Sequence, residues 1–431
     1  MTTVPILEIP SPQANELLAR IAERGWRDLA ACEVEVRGII EAVRARGDEA
    51  LRELTGKFEG RVLTTIEVAR PALDRAVERV APDVRQAIHR TVERVRSYHR
   101  RQLEPSWTYR EEGMLLGQLV RPVRRVGVYA PGGTARYPSS VIMNVVPARV
   151  AGVEEVLLAT PSPGPEVLHA ARASGVDRVF DLGGAQAIAA LAVGTETVPQ
   201  VDLVVGPGNR WVTAAKRAVY GEVGIDMLAG PSEILIVADA GSSPEVLAAD
   251  MIAQAEHDEL STAILVTDNG ALARRTAAAI DEQVETLPRA TIARKALESR
   301  GAIFVARSLD EAAAIADHLA PEHLVLSVAQ PDPLLRRIRA AGAVFVGYGT
   351  PQVVGDYVAG PSHTLPTGGG ARFASPLGVH TFLVRSSLVR YDAEALRRDA
   401  PAMRAFASVE GLEGHWRSVE RHLSSSGKSG Q

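Results

Sequence analysis

The sequence predicts an α/β protein in which helices cover two successive modules of parallel β-sheet. Short apolar runs rich in β-branched residues recur between residues 125 and 349, and a helix-length segment separates each run from the next. Because strand–helix–strand units join parallel strands by right-handed crossovers, this alternation indicates two Rossmann-like modules, with a helical N-terminal segment and a helical C-terminal tail. The length of 431 residues agrees, since one ordinary hydrophobic core does not grow that large.

Residues 1–105 are expected to form a helical segment that packs on the second module. Apolar residues recur there at three- and four-residue spacing in NELLARIAERG, VEVRGIIEAVRARGDEALRELTGKF and RPALDRAVERVAPDVRQAIHRTVERVRSYHRRQL. This spacing places the apolar side chains on one face of each helix.

The first module is expected over residues 106–232, and the second over residues 233–350. The predicted strands of the first are MLLGQLVRPV, RRVGVYA, EEVLLAT, DRVFDLG and VDLVVG. Between them lie the helical segments YPSSVIMNVVPARVAG, PEVLHAARASG and AQAIAALAVG, and RWVTAAKRAVYG follows. The second module alternates SEILIVADA, TAILVTD, AIFVAR, HLVLSV and AVFVGYG with the helices PEVLAADMIAQAEH, LARRTAAAIDEQV, LDEAAAIADHL and LLRRIRAAG.

Residues 351–380 are rich in glycine and proline and predict an active-site loop without elements of its own. Long loops of this kind are usually functional or disordered. Asp356, Tyr357 and His363 among the glycines favour function. Residues 381–431 return to a helical pattern and are expected to form the C-terminal tail.

Composition excludes several classes of protein. A net charge of −4 and a charged fraction of 23% give no electrostatic case for nucleic acid or an anionic membrane as partner. The single cysteine, Cys32, excludes an intrachain disulfide and a thiolate metal cluster. The start MTTVPILEIPSPQ lacks the basic and apolar regions of a signal peptide, and no apolar run is long enough for a membrane span, so a cytoplasmic protein is expected.

Three glycine-bearing turns follow strands of the first module, in YAPGGTARYPSS, LGGAQA and GPGNRW. The usual dinucleotide fingerprint G-x-G-x-x-G is absent after the predicted strands. Strand exits in parallel sheets nevertheless hold ligands, and such turns present backbone amides to phosphate. The sequence therefore favours a nucleotide or anion site, although glycine turns also simply end strands.

The stretch MIAQAEHDEL gathers polar groups at the end of an apolar helix. Gln254 and His257 are three residues apart and share a helix face. With no further cysteine, amide, imidazole and carboxylate groups would suit Zn²⁺ or a similar divalent ion, with His323, His363 and His415 as further candidates. A capping cation at a helix end is the alternative for His257.

Glu322 and His323 are adjacent in APEHL, at the start of a predicted strand. Histidine is the usual general base near neutral pH, and a neighbouring carboxylate can orient it or activate water. A solvent-exposed turn is the alternative.

Several long blocks resemble the histidinol dehydrogenase family. They are GVYAPGG, YPSSVIMNVVPARVAG, GGAQAIAALAVGTETVPQVD, GPGN, GIDMLAGPSEILIVAD, AQAEHD, APEHL, GDYVAGPSHTLPTGG and EGLEGH. They run in order over roughly residues 30–420. The resemblance implies an NAD-dependent, zinc-dependent oxidoreductase that converts L-histidinol to L-histidine through L-histidinaldehyde, the last step of histidine biosynthesis.

The resemblance also implies residue roles and a homodimer. The implied catalytic residues are Glu322 and His323. The implied ligands of one zinc ion per subunit are Gln254, His257, Asp356 and His415. The implied NAD contacts are Tyr129, Gln186 and Asn209. The implied substrate contacts are Ser232, Gln254, His257, Glu322, His323, Asp356, His363, Glu410 and His415. The tail would cross to the other subunit, so that Glu410 and His415 complete the partner's site.

Some positions of the sequence depart from the family pattern. Ser362 stands in AGPSHTLPT where asparagine is common, and GPGNRW and TARYPSS also differ. These departures leave room for a related zinc and NAD polyol dehydrogenase, such as a sulfopropanediol dehydrogenase. A zinc hydrolase or a non-enzymatic nucleotide-binding protein is a third interpretation, but it leaves the predicted NAD contacts unexplained.

Overall fold

The structure is a computed structural model that describes residues 2–23, 32–132 and 136–426. The chain divides into two compact units, one formed by Met1–Gln102 with Val123–Phe382 and the other by Leu103–Pro122 with Leu383–Gln431. Within the described ranges, no helix combines the length and apolar character that crossing a membrane requires.

The strands of the described chain are β1 Ile6–Glu8, β2 Trp107–Glu111, β3 Met114–Pro122, β4 Arg125–Tyr129, β5 Glu155–Ala159, β6 Arg178–Phe180, β7 Leu203–Val205, β8 Gly224–Ile225, β9 Glu233–Ala238, β10 Thr262–Thr267, β11 Gly301–Val305, β12 His323–Ser327, β13 Ala343–Val346 and β14 Leu383–Tyr391. The helices are α1 Pro12–Ala22, α2 Glu33–Glu59, α3 Arg70–Arg75, α4 Pro82–His99, α5 Pro138–Ala151, α6 Pro165–Ser174, α7 Gly184–Val193, α8 Arg210–Val219, α9 Pro244–Ala255, α10 Gly270–Val284, α11 Ala290–Arg300, α12 Leu309–Leu319, α13 Pro331–Leu335, α14 Val353–Tyr357, α15 Ala393–Val409 and α16 Glu413–Ser426.

Two parallel sheets form the first unit, which confirms the predicted fold class. One has the strand order β6-β5-β4-β7-β8 and the other β1-β11-β10-β9-β12-β13, and every pairing within them is parallel. The central strands β9 and β10 of the second sheet are buried from end to end, and β4 and β5 of the first sheet are buried except at their first residue. Such strands are apolar on both faces because helices cover both sides of a parallel sheet.

The N-terminal region divides between the two sheets. Val36 and Leu51 of α2 belong to the core under the first sheet, together with Leu157 and Phe180. Strand β1 pairs with β11 at the edge of the second sheet. Helix α1 places Ala14 and Ile21 in the core beneath that same sheet.

The second unit contains an antiparallel sheet in the order β14-β3-β2, followed by α15 and α16. The register runs from Leu383 opposite Pro122 to Tyr391 opposite Met114. Asp392 caps α15 by accepting from the amides of Glu394 and Ala395 at 3.0 and 2.9 Å. No residue of these three strands, all of them within the described ranges, is buried in the chain.

Three local predictions are corrected. The strand MLLGQLVRPV pairs antiparallel with β2 and β14 and does not open the parallel series. Helix LLRRIRAAG forms only as Pro331–Leu335, because the Asp317 carboxylate accepts from the amides of Arg339 and Ala340 and gives that backbone non-helical partners. The Gly-rich loop contains the short helix α14.

Candidate functional site

Glu322 and His323 lie where β12 begins, between β9 and β13 of the second sheet. Helix α12 ends at Leu319, and Ala320 adopts a left-handed conformation that turns the chain before Pro321. Both side chains are buried, with 6% and 5% of their surface exposed. The alternative of a solvent-exposed turn is therefore wrong.

Glu233, the first residue of β9, holds this pair in place. Its amide donates to Oε2 of Glu322 at 2.8 Å, and the Glu322 amide donates back to Oε1 of Glu233 at 3.2 Å. Its carbonyl oxygen lies 3.0 Å from Nδ1 of His323. A carbonyl can only accept, so Nδ1 carries the proton and Nε2 is left as an acceptor.

The surroundings shift the pKa values of both groups. Burial raises the pKa of the Glu322 carboxyl well above its usual value, and the carboxylates of Glu233 and Asp356 add to the increase. Burial lowers the pKa of His323 to about 4, with His257 and His363 nearby reinforcing the decrease. His323 is thus a neutral imidazole at pH 7, the form that accepts a proton.

Asp356 and His363 come from the Gly-rich loop. Helix α14 carries Asp356, whose Oδ2 accepts from Nε2 of Gln352 at 3.1 Å. The carbonyl oxygen of Asp356 accepts from Nδ1 of His363 at 3.0 Å, which leaves Nε2 of this imidazole as an acceptor too. Burial raises the pKa of Asp356 to about 6 and lowers that of His363 to about 4.

Gln254 and His257 lie at the end of α9. Helix α9 ends at Ala255, so His257 stands beyond the helix and not on its final turn as predicted. Gln254 is 1% exposed, yet neither Oε1 nor Nε2 of its amide has a hydrogen-bond partner. Partial burial lowers the pKa of His257, which favours the neutral imidazole. A buried amide without protein partners is costly, so its polar atoms are available to a ligand.

These groups fit a divalent metal ion by their chemistry. An amide oxygen from Gln254, a neutral imidazole from His257 and a carboxylate from Asp356 are oxygen and nitrogen ligands of the kind that zinc accepts. Within the described ranges, no three His, Cys, Asp or Glu side chains are gathered as a metal site. The fit therefore rests on the partnerless amide of Gln254 and not on a completed ligand set.

The predicted cofactor contacts lie at carboxyl ends of strands in the first sheet. Tyr129 ends β4, and its Oη accepts from the Gly184 amide at 3.2 Å. Gln186 lies in α7 after β6, and its Nε2 donates to Oε1 of Glu59 at 3.3 Å. Asn209 follows β7 and caps α8. Gly133, in the first of the predicted glycine turns, lies outside the described residues.

The remaining predicted residues occupy separate positions. Ser232 directly precedes β9 and is half-buried, and its carbonyl oxygen accepts from the Thr262 amide at 3.0 Å. Glu410 and His415 belong to the second unit, where Glu410 directly follows α15 as its C-cap and His415 lies in the first turn of α16. Both are exposed in the chain.

Sequence reasoning missed Glu233 as a site residue. The available signal was an acidic residue at the head of the apolar run EILIVA, directly after Ser232. A carboxylate in a fully buried strand needs specific partners, and here the amides of Glu322 and Gly368 supply them.

Asp250 is expected to lower the stability of the fold as the pH rises. It lies four residues before Gln254 in α9, and burial raises its pKa from 3.8 to about 6. The folded chain therefore binds this proton more tightly than the unfolded chain does. The free energy of unfolding begins to fall as the pH rises past the ordinary pKa of the unfolded state, and the decrease is complete above the raised pKa of the folded state. Asp250→Asn should stabilise the chain by about 1–2 kcal/mol near pH 8, after allowance for solvent screening.

Thermal unfolding with a chelator present, from about pH 5 to pH 8, measures this effect. The advantage of Asp250→Asn over the parent should grow with pH and then level off. Glu282→Gln, which changes an exposed carboxylate of α10, serves as the control. A melting-temperature difference that does not change with pH would contradict the assignment.

Comparison with known proteins identifies the family. A family model described as histidinol dehydrogenase matches residues 22–423. Histidinol dehydrogenase from Geobacter metallireducens is 49% identical in an alignment 431 positions long, which covers 98% of this chain and 99% of the relative. The Aquifex aeolicus protein of the same name is 48% identical over 403 residues, covering 93% and 95% of the two chains.

A solved structure agrees with these matches. The crystal structure of histidinol dehydrogenase from Elizabethkingia anophelis superimposes with a TM-score of 0.91 at 32% identity, and each chain is covered to 99%. The resemblance predicted from the sequence blocks is confirmed. This chain belongs to the histidinol dehydrogenase family of oxidoreductases.

Proposed function

We propose that the chain catalyses the NAD-dependent, zinc-dependent, four-electron oxidation of L-histidinol to L-histidine through L-histidinaldehyde, as the last step of histidine biosynthesis in the cytoplasm. The observation that carries the proposal is the buried Glu322–His323 pair, together with the partnerless amide of Gln254, in a chain of this family. A base, a water-activating carboxylate and a ligand site are what two successive oxidations of a primary alcohol require.

Gln254, His257 and Asp356 would hold zinc from one subunit, and His415 of the other subunit would complete the set. Tyr129, Gln186 and Asn209 would bind NAD at the strand exits. When bound, zinc would orient the substrate as a template and weakly polarise its oxygen, while the nicotinamide would accept a hydride in each oxidation.

His323 and Glu322 would move the protons. In the first oxidation, Nε2 of His323 takes the hydroxyl proton as the carbinol carbon loses hydride, which gives the aldehyde. Glu322 then removes a proton from water as the water attacks the aldehyde carbon. The protonated His323 returns its proton to the former carbonyl oxygen, which gives the gem-diol and leaves His323 neutral again. His323 accepts a diol proton in the second oxidation, and the product is the carboxylic acid.

Ser232, His363 and Glu410 would bind and orient the substrate. Nδ1 of His363 is engaged with a backbone carbonyl, so Nε2 is the atom that can face a ligand. Keeping the aldehyde bound between the two oxidations prevents the loss of a reactive intermediate.

A progress curve with limiting L-histidinol, excess NAD⁺ and added zinc tests the proposal. Two NADH per histidinol, abolished by a chelator and restored by zinc, is the expected result. One NADH per histidinol would mean that oxidation stops at the aldehyde and that Glu322 has another role. Formation of no NADH would contradict the substrate and favour another alcohol.

We further propose a homodimer in which the second unit serves the partner's site. Phe406 and Val409 of α15 are 69% and 88% exposed in the chain. Trp107, Val384 and Val389 of the antiparallel sheet are also more than half exposed, at 51%, 52% and 63%. Apolar groups this exposed on one small unit are typical of a surface that a second subunit covers.

Mixed dimers should recover activity that neither parent has. Glu322→Ala lacks the water-activating carboxylate, and His415→Ala is expected to lose zinc. A dimer with one chain of each kind has one intact site only if His415 acts across subunits. After random mixing, half of the dimers contain one chain of each kind. Each of these dimers has one working site out of two, so roughly one quarter of wild-type activity is expected.

Glu322→Ala mixed with His323→Asn is the matched control for this experiment. Both lesions lie in the first unit, so no mixed dimer contains an intact site and no recovery is expected. Zinc content and NADH formation are measured in both mixtures. Equal activity in the two mixtures would exclude a site shared in this way.

A further inference from the structure

A buried ion pair lies beside Gly206, at the exit of β7 in the first sheet. Lys216 of α8 and Asp226, which directly follows β8, contact each other with side chains that are 2% and 0% exposed. Burying two charges is costly, and apolar side chains of similar size often serve stability as well or better. Core packing alone therefore does not explain why this pair is here.

The pair holds both backbone polar groups of Gly206. Nζ of Lys216 donates to the Gly206 carbonyl oxygen at 2.9 Å. The Gly206 amide donates to Oδ2 of Asp226 at 2.8 Å. The amide of Met227 donates to Oδ1 of the same carboxylate at 2.6 Å. Each charge is thus used to fix a backbone position.

Gly206 occupies a place that other residues do not fit. Its φ is +118°, and a Cβ added there would lie 2.0 Å from the carbonyl oxygen of Tyr129. The exits of β4 and β7 therefore touch at this glycine. Three residues later Asn209 caps α8, with Oδ1 accepting from the amides of Trp211 and Val212 at 3.0 and 3.2 Å.

The segment of residues 226–233 begins at Asp226, and its other end contacts Glu322 and His323. Thr213 of α8 donates to the Ala229 carbonyl oxygen at 2.7 Å. The segment ends at Glu233, whose backbone holds Glu322 and His323. Residues 226–233 thus connect the loop that carries Asn209 to the two proton-transfer groups.

We propose that Lys216 and Asp226 are positioning residues for the nicotinamide cofactor. The ion pair fixes the Gly206–Asn209 turn against Tyr129 and sets its place relative to the catalytic pair. This inference rests on the proposed function, because it assumes that Tyr129 and Asn209 bind NAD.

The test compares NAD⁺ binding by the zinc-loaded full chain and its variants. Lys216→Met with Asp226→Asn removes both charges together, so no single buried charge is left to unfold the chain. Asp226→Asn alone is the second variant. It retains one acceptor oxygen but leaves the buried Lys216 charge without its carboxylate partner, so its melting temperature is measured before its NAD⁺ binding. Arg217→Met is the control, since Arg217 neighbours Lys216 on α8 but pairs with Glu33 at an exposed position.

The double variant is expected to raise the NAD⁺ dissociation constant roughly tenfold or more, with a smaller rise for Asp226→Asn, because misplaced contacts lose most of their binding energy. Zinc content and the L-histidinol dissociation constant should stay within about twofold of the parent, as should every value for Arg217→Met. A role in stability alone would lower the melting temperature and leave NAD⁺ affinity unchanged. Unchanged NAD⁺ affinity in folded samples of both variants would overturn the inference and leave the proposed function standing. A parent chain that binds no NAD⁺ would overturn both.

Discussion

His323→Asn is expected to lower kcat for L-histidinol oxidation by about a hundredfold or more, the usual contribution of a positioned general base. The asparagine amide can still donate to the Glu233 carbonyl, as Nδ1 of His323 does now at 3.0 Å. The variant therefore keeps the hydrogen bond and loses only Nε2, the atom that we propose accepts the substrate proton. Zinc content should not change, because the resemblance gives His323 no place among the zinc ligands.

His318→Asn is the matched control for that variant. His318 is an exposed histidine at the end of α12, five residues earlier in the chain, and its replacement should leave kcat unchanged. Turnover is followed by NADH absorbance and zinc by metal analysis of the same samples. A His323→Asn enzyme with wild-type kcat would remove His323 from the role of base.

The pH dependence of the parent follows from the two shifted groups. His323 has a pKa of about 4, so it remains neutral and able to accept a proton throughout the neutral range. Glu322 must be ionised to activate water, and burial raises its pKa. Activity should therefore rise with pH through the raised pKa of Glu322, and its acid limb should report this carboxyl.

The two parallel sheets were predictable because most of their strands are largely buried. Strands such as Glu233–Ala238 and Thr262–Thr267 appear in the sequence as short apolar runs between amphipathic helices. In the second unit only β3 was predicted, from MLLGQLVRPV, while β2 and β14 carry no such pattern. Trp107–Glu111 is exposed throughout, and Leu383–Tyr391 mixes arginine and serine with valine, so only tertiary pairing defines them.

The sequence indicated the proposed catalytic pair, Glu322 and His323, but not the contacts with Glu233 that hold the pair in place. Adjacent Glu322 and His323 are visible in APEHL, whereas Glu233 is 89 residues from Glu322. The two become neighbours because β9 lies beside β12 in the sheet, although β10 and β11 come between them in the chain. No local pattern encodes that strand order. The Lys216–Asp226 pair could not be predicted for a similar reason. Lys216 lies in α8 and Asp226 follows β8, so only the folded chain brings the two side chains together.

Glu233→Ala is expected to lower kcat by about a hundredfold, although Glu233 is not assigned to touch substrate. Its carboxylate accepts from the amides of Glu322 and Gly368 at 3.2 and 2.9 Å, which links the catalytic pair to the Gly-rich loop. Alanine leaves both amides without a partner and opens a cavity beside Glu322. The Michaelis constant for NAD⁺ should stay close to the parent value, because the proposed NAD contacts Tyr129, Gln186 and Asn209 lie at strand exits of the first sheet.

Glu233→Gln tests whether Glu233 acts through its hydrogen bonds or through its negative charge. The glutamine Oε1 can accept the same two amide hydrogens, so kcat at its optimum should remain within about tenfold of the parent. The neighbouring negative charge is lost, and with it one cause of the raised pKa of Glu322. The acid limb of the kcat profile should consequently move to lower pH, since the Glu322 carboxyl then ionises more readily. If glutamine damages kcat as much as alanine does, or leaves the acid limb where it was, Glu233 does not act on Glu322 in the way these contacts imply.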